Sequence, residues 1–84
     1  MSRFAWEPAA RADLRRIGQE QALAILRALG RYGRTGIGDI RKLTDDPEER
    51  YRFRVGDWRV VLKAEGQGVY RIYSVDHRKD AYRM

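Results

Sequence analysis

Residues 51–63 read YRFRVGDWRVVLK, two alternating runs on either side of Gly56 and Asp57. Alternation of this kind is the mark of strands with one buried side, and Gly-Asp between two such runs predicts a hairpin. Gly56 supplies the positive φ that a two-residue turn of type II′ needs at its first central position. Pairing outward from that turn sets Val55 opposite Trp58, Arg54 opposite Arg59, Phe53 opposite Val60, Arg52 opposite Val61 and Tyr51 opposite Leu62. Residues that face one another across a strand pair share a side of the sheet. One side is therefore Tyr51, Phe53, Val55, Trp58, Val60 and Leu62, a core face. The other collects Arg50, Arg52, Arg54, Arg59 and Lys63. Like charges placed directly across a pair are destabilising, so stability gives no reason for setting Arg54 against Arg59. A bound anion would remove the conflict.

The rest of the chain is organised around this hairpin. Arg3 to Trp6 reads as a short first strand with Phe4 and Trp6 on one side. Glu7 and Pro8 suit the opening of a helix, where the missing proline N–H costs nothing. Ala10, Leu14 and Ile17 then recur at helical spacing, and Gly18 ends the helix. A second helix is predicted over Gln19 to Tyr32, with Ala22, Ile25, Leu26 and Leu29 as its apolar stripe. So short a connection makes the two helices antiparallel, both stripes facing the sheet. Gly30, Gly33, Gly36 and Gly38 lack the GK[ST] ending of a phosphate loop and read as a flexible connector. Ile40 and Leu43 anchor that connector, and Thr44 to Glu49 forms an acidic turn before the basic hairpin. Those acids either shield the arginine face in the free protein or form a solvated loop.

Beyond the hairpin, Glu65 to Gly68 forms a second turn and Val69 to Val75 a further strand. Setting Tyr70, Ile72 and Ser74 in the core places Arg71 and Tyr73 on the Arg59 side. The alternative register buries an unpaired arginine, which is costly. Asp76 to Met84 leaves the sheet as a basic tail. The order β-α-α-β-β-β is an α+β domain. An antiparallel helix pair covers one face of a mainly antiparallel four-stranded sheet, and the opposite face stays open.

Eighty-four residues make one domain, 1–84, with a core that buries about 60–65% of the surface of the unfolded chain. Hydrophobic residues at 43% and charged residues at 36% suit a folded domain with a strongly ionised surface. The absence of cysteine excludes disulfides and thiolate metal sites. With no signal-peptide core and no apolar run of membrane-spanning length, the expectation is a soluble cytoplasmic protein without membrane contact. The formal charge of +6 is unevenly placed. Up to Glu49 there are nine Arg/Lys against eight Asp/Glu, net +1; from Arg50 onward there are nine against four, net +5. The excess therefore falls on the predicted sheet and tail, where a polyanion such as nucleic acid is attracted.

No nucleophile triad can be assembled without cysteine and with a lone histidine, His77. Metal ligation has no support either, because Asp45, Asp46, Glu48 and Glu49 show no ligand spacing. No cofactor is called for. What remains suits phosphate chemistry. Arg52, Arg54, Arg59 and Arg78 offer planar bidentate donors to phosphate oxygens, and such donors stabilise charge that grows in a phosphorane-like transition state. The imidazole of His77 can accept or donate a proton, and Tyr82 can hold or hand one over.

DIRKL at 39–43, YRFRVGDWRVVL at 51–62 and SVDHRKDAYR at 74–83 together resemble the RelE/ParE superfamily of bacterial toxins. The likeness runs over essentially the whole chain, and RelE-like members are the better match. The resemblance implies the toxin of a type II toxin–antitoxin system, an endoribonuclease that cuts translated mRNA at the ribosome without a metal and is neutralised by a cognate antitoxin. It implies attack of the RNA 2′-hydroxyl on the adjacent phosphate. Arg59 matches the family's hairpin arginine, Arg78 the arginine after the last strand, and Tyr82 the C-terminal tyrosine, as acid/base or base-stacking group. Arg50, Arg52, Arg54, Lys63, Lys79 and Arg83 are expected to bind RNA phosphates. Where well-known members carry lysines, this chain has Arg52 and Arg54, which stay protonated and cannot act as bases. His77 thus becomes the candidate for proton abstraction; its other reading is a hydrogen-bonded cap on the strand end. Tyr82 can equally pin the tail to the sheet. Two further readings share the fold: a ParE-like inhibitor of DNA gyrase that cleaves nothing, and a non-toxic relative that only binds an antitoxin.

Overall fold

A computed structural model describes residues 3–77. The first strand, β1 (Arg3–Trp6), passes directly into α1 (Pro8–Ile17), which has Pro8 at its start and turns at Gly18 with φ 96°. A second helix, α2 (Gln19–Thr35), follows at once. It runs three residues beyond the predicted end, so Gly33 as well as Gly30 lies inside the helix, and neither belongs to a connector. The stop is Gly36, left-handed at φ 75°, whose N–H donates to Tyr32 O at 2.8 Å. Two internal glycines cost about 2 kcal/mol of helix propensity. Leu29 and Tyr32, which bracket Gly30 and pack into the core, hold the turn nonetheless.

Four more strands complete one sheet: β2 (Asp39–Lys42), β3 (Tyr51–Val55), β4 (Trp58–Gly66) and β5 (Val69–His77), in the order β1-β5-β4-β3-β2. The α+β class stands, but the sheet has five strands and not four. Asp39–Lys42 is an edge strand where a connector was expected. The β3–β4 pair keeps the predicted register throughout, from Val55 opposite Trp58 to Tyr51 opposite Leu62. Gly56 takes φ 57°, while Asp57 is not among the residues at positive φ, which agrees with the type II′ turn. β1 runs parallel to β5, and the remaining pairs are antiparallel.

Between them, the helices and sheet bury Ala10, Ile25, Leu29, Phe53, Val60, Leu62, Ile72 and Val75. The stripe of α2 is rotated from the predicted one: Ile25, Ala28, Leu29 and Tyr32 face inward, and Leu26 is 42% exposed. Tyr51, expected in the core, is exposed beside the edge strand. Gly38 has a steric reason to be glycine, since a Cβ there would lie 2.6 Å from the ring of buried Phe53. In β5 the expected register holds through Ile72 and then changes. Ile72 faces Leu62 but Ser74 faces Val61, so Tyr73 is bulged. That extra residue reverses the alternation. Val75 takes the core place predicted for Ser74, and its N–H donates to Asp13 Oδ2 of α1 at 2.9 Å.

Among the described residues no helix is long and apolar enough to cross a membrane.

Candidate nucleic-acid interface

The sheet face away from the helices is crossed by two ladders of side chains. Cross-strand registers place Asp39, Arg54, Arg59 and Asp76 in one row over β2, β3, β4 and β5. Two residues along, Arg41, Arg52, Val61 and Ser74 form the next. Arg41, Arg52, Arg54 and Arg59 line one groove, an open cavity of about 640 Å³ that Leu43, Thr44 and the hairpin tip also line. Three arginines named from the hairpin alone thus converge on one concavity instead of pointing apart.

Asp57 lines the same groove and Asp39 and Asp76 flank the arginine row, but among the described residues the ion pair made by these guanidiniums is a long one. Arg52 Nη2 lies 3.7 Å from Asp39 Oδ1, near enough for attraction but too far for a hydrogen bond. Arg52 Nη1 and Arg59 Nε are buried without a hydrogen-bond partner among the described residues. A buried charged donor left unmatched costs more than an average hydrogen bond returns, so such a pair of atoms needs an explanation. An anion in the groove would offset the charge that each guanidinium spreads over its whole planar fork, by accepting from its accessible nitrogens.

Other predicted residues fall elsewhere. Arg50 is held by the acidic loop, its backbone N and Nε donating to Asp46 Oδ2 at 2.7 and 2.9 Å, with Glu48 3.5 Å from Nη1. Its guanidinium also sits 5.4 Å from the centre of the Tyr73 ring. These hydrogen bonds hold the Asp46 carboxyl down at about 2. The loop acids therefore neutralise Arg50, and Glu49 pairs with Lys42 at 3.2 Å, instead of shielding the groove. Lys63 is on the open face opposite Arg71, about 13 Å along β4 from Arg59, and does not line the groove. Arg71 is engaged by Glu65 at 2.9 Å and Glu7 at 3.3 Å.

His77 pairs with Trp58 across β4 and β5, on the helix side of the sheet. The two rings meet edge to face at 5.0 Å, and Trp58 Nε1 donates to Gln21 Oε1 of α2 at 3.1 Å. His77 therefore lines a second cavity, with Gln21, Ala24 and Val55, and not the arginine groove. The titratable side chain beside Arg59 in register is Asp76, whose Oδ2 accepts from Ser74 Oγ at 3.2 Å. The Tyr73 bulge causes the exchange, since without it the parity of β5 would put residue 77 on the open face. Arg78, Lys79, Tyr82 and Arg83 lie outside the described residues. Arg41 is the groove residue that sequence reasoning missed. Its signal was present in the pairing of DIRKL with YRFRV, but only once Asp39–Lys42 is read as a strand.

Solved structures share this architecture. The RelB–RelE antitoxin–toxin complex of Methanococcus jannaschii is matched over 93% of this chain and 94% of that one, with 20% identity and a TM-score of 0.72. The toxin–antitoxin complex RelBE2 of Mycobacterium tuberculosis gives a TM-score of 0.76 at 22% identity, over 92% and 98% of the two chains. The YoeB dimer of Staphylococcus aureus gives 0.72 at 20% identity, over 90% and 95%. At these identities the likeness concerns the fold. Comparison with curated proteins finds no match. A family model described as the ParE toxin of type II toxin–antitoxin systems matches residues 4–82, and this chain belongs to that family.

Proposed function

We propose that this toxin-family protein is an endoribonuclease that holds single-stranded RNA in the arginine groove and cuts translated mRNA at the ribosome in the cytoplasm. Attack of a 2′-hydroxyl on the neighbouring phosphate needs no metal, provided the growing negative charge is met by fixed donors. Arg59 and Arg54 are aligned for that task, with Arg52 and Arg41 beside them. Arg78 and Tyr82 keep the roles that resemblance gives them, steadying the phosphate and moving the proton or stacking a base. The placement of His77 across the sheet from Arg59 weighs against its acting as the base. One observation supports the reading above the rest: Arg41, Arg52, Arg54 and Arg59 from three strands line one groove, and among the described residues Arg59 Nε and Arg52 Nη1 have no hydrogen-bond partner.

Primer extension on cellular mRNA after brief induction tests this. Codon-linked cuts are expected with the native protein, and a folded Arg59→Ala variant is expected to lose them, by at least tenfold for removal of one transition-state donor. Unchanged cutting by that variant would sink the assignment. A second reading has its own support, because the matching family model is that of ParE toxins. On it the basic face contacts DNA gyrase and nothing is cleaved; an SOS response with intact mRNA would identify that case.

A cognate antitoxin is part of the proposal under either reading, supported by structural neighbours that are antitoxin–toxin complexes.

A further inference from the structure

Two cross-strand arginine pairs, in adjacent rows of the sheet, line the groove. In the first row Arg54 and Arg59 face each other on β3 and β4, and in the second Arg41 and Arg52 face each other on β2 and β3. The first row ends on both sides in a carboxylate, Asp39 and Asp76, which confines an anion to the arginine pair. Beyond Arg52, the second row continues into Val61, 8% exposed, so its anion-binding capacity lies on the β2–β3 side. One strand spacing and two residues of rise separate the two pairs, about 8 Å at the backbone. Long guanidinium side chains easily close that to the span of one nucleotide in an extended single strand.

We propose that the two arginine pairs hold consecutive phosphates of one strand, Arg54 and Arg59 one and Arg41 and Arg52 the next. The proposal rests on the RNA reading above and adds a requirement. The ligand must carry two adjacent backbone phosphates, and Arg41 is a binding residue. Two like-charge pairs in adjacent rows destabilise the free sheet. A diester track discharges both at once, whereas a single phosphate leaves one unrelieved. Arg41 is exposed on the edge strand and opposes only Arg52, so its removal relieves repulsion and leaves the fold intact.

The test is fluorescence anisotropy with a labelled 2′-O-methyl RNA hexanucleotide, which cannot be cleaved, titrated at several salt concentrations. Wild type, Arg41→Ala, Arg59→Ala and a control, Arg27→Ala on the exposed side of α2, are compared. Arg41→Ala is expected to weaken binding about tenfold and to flatten the slope of log affinity against log salt by about 0.7, the value of one single-strand phosphate contact. Its melting temperature should equal or exceed that of wild type, and Arg27→Ala should bind like wild type. Arg59→Ala should also flatten the slope. A nucleoside 5′-monophosphate should compete far more weakly than a dinucleotide bearing a 5′-phosphate. Should Arg41→Ala bind with wild-type affinity and slope while Arg59→Ala is impaired, the second place is refuted and the RNA reading survives. Should wild type fail to bind the hexanucleotide, the two-phosphate proposal falls, while the RNA reading stands or falls separately on codon-linked cutting in the induction experiment.

Discussion

Asp46 shows how one carboxylate can both organise a loop and take an arginine out of service. It accepts from the Arg50 backbone and from its guanidinium, and these bonds lower its pKa from 3.8 to about 2. A carboxyl whose folded pKa is depressed stabilises the fold fully above its unfolded value, and the contribution is lost as pH falls through the folded value. The stability gap between wild type and Asp46→Asn is therefore expected to be constant from neutrality down to about pH 4 and to close between about pH 4 and 2. Urea titrations at stepped pH measure it; a gap that persisted at pH 2 would rule the linkage out. Arg50 was counted among phosphate ligands because its type and parity fitted. Nothing local distinguishes it from Arg52 except Asp46 four residues earlier, in Asp45-Asp46-Pro47, which only becomes a clamp once the loop has closed.

At the level of elements, the bulge at Tyr73 decides which chemistry each face carries. It sends Val75 into the core and Asp76 to the arginine row, and it leaves the Val75 amide to be met from α1 by Asp13. Asp13→Ala removes the acceptor of that part-buried donor and should cost about 1–3 kcal/mol. Asp13→Asn, which retains an acceptor oxygen, should cost less. Chemical denaturation combined with hydrogen exchange at the Val75 amide checks both, and equal stability of the two variants would contradict the account. The edge strand β2 was equally hidden. Four residues with one inward apolar side chain, Ile40, carry no readable alternation, and their basic neighbours are what edge strands use to resist further pairing. For α2 the opposite problem arose. Its glycines suggested a loop, and the packing of Leu29 and Tyr32 overrode their low propensity.

Taken whole, the molecule is basic on both sides, with arginines on the outer faces of the helices as well as on the bare side of the sheet, but on the sheet four of them share one groove. A protein antitoxin that neutralises this face must bring acidic groups, and long-range attraction makes such association fast at low ionic strength. The neighbouring antitoxin is thus expected to be acidic and to bind with an association rate that falls steeply as salt rises, measurable by stopped flow. A neutral or basic neighbour whose association is indifferent to salt would count against it.

The amino-acid sequence alone determined the hairpin, its register to the last pair, the α+β class and the crowding of Arg52, Arg54 and Arg59 on one side. Those properties depend on alternation and on a glycine turn, both local in the chain. Only the tertiary structure decided that Arg41 joins them, that Arg50 leaves them and that His77 lies across the sheet. Each of those outcomes turns on a pairing or a bulge between segments far apart in sequence, where a shift of one residue exchanges the two faces and no local pattern records it.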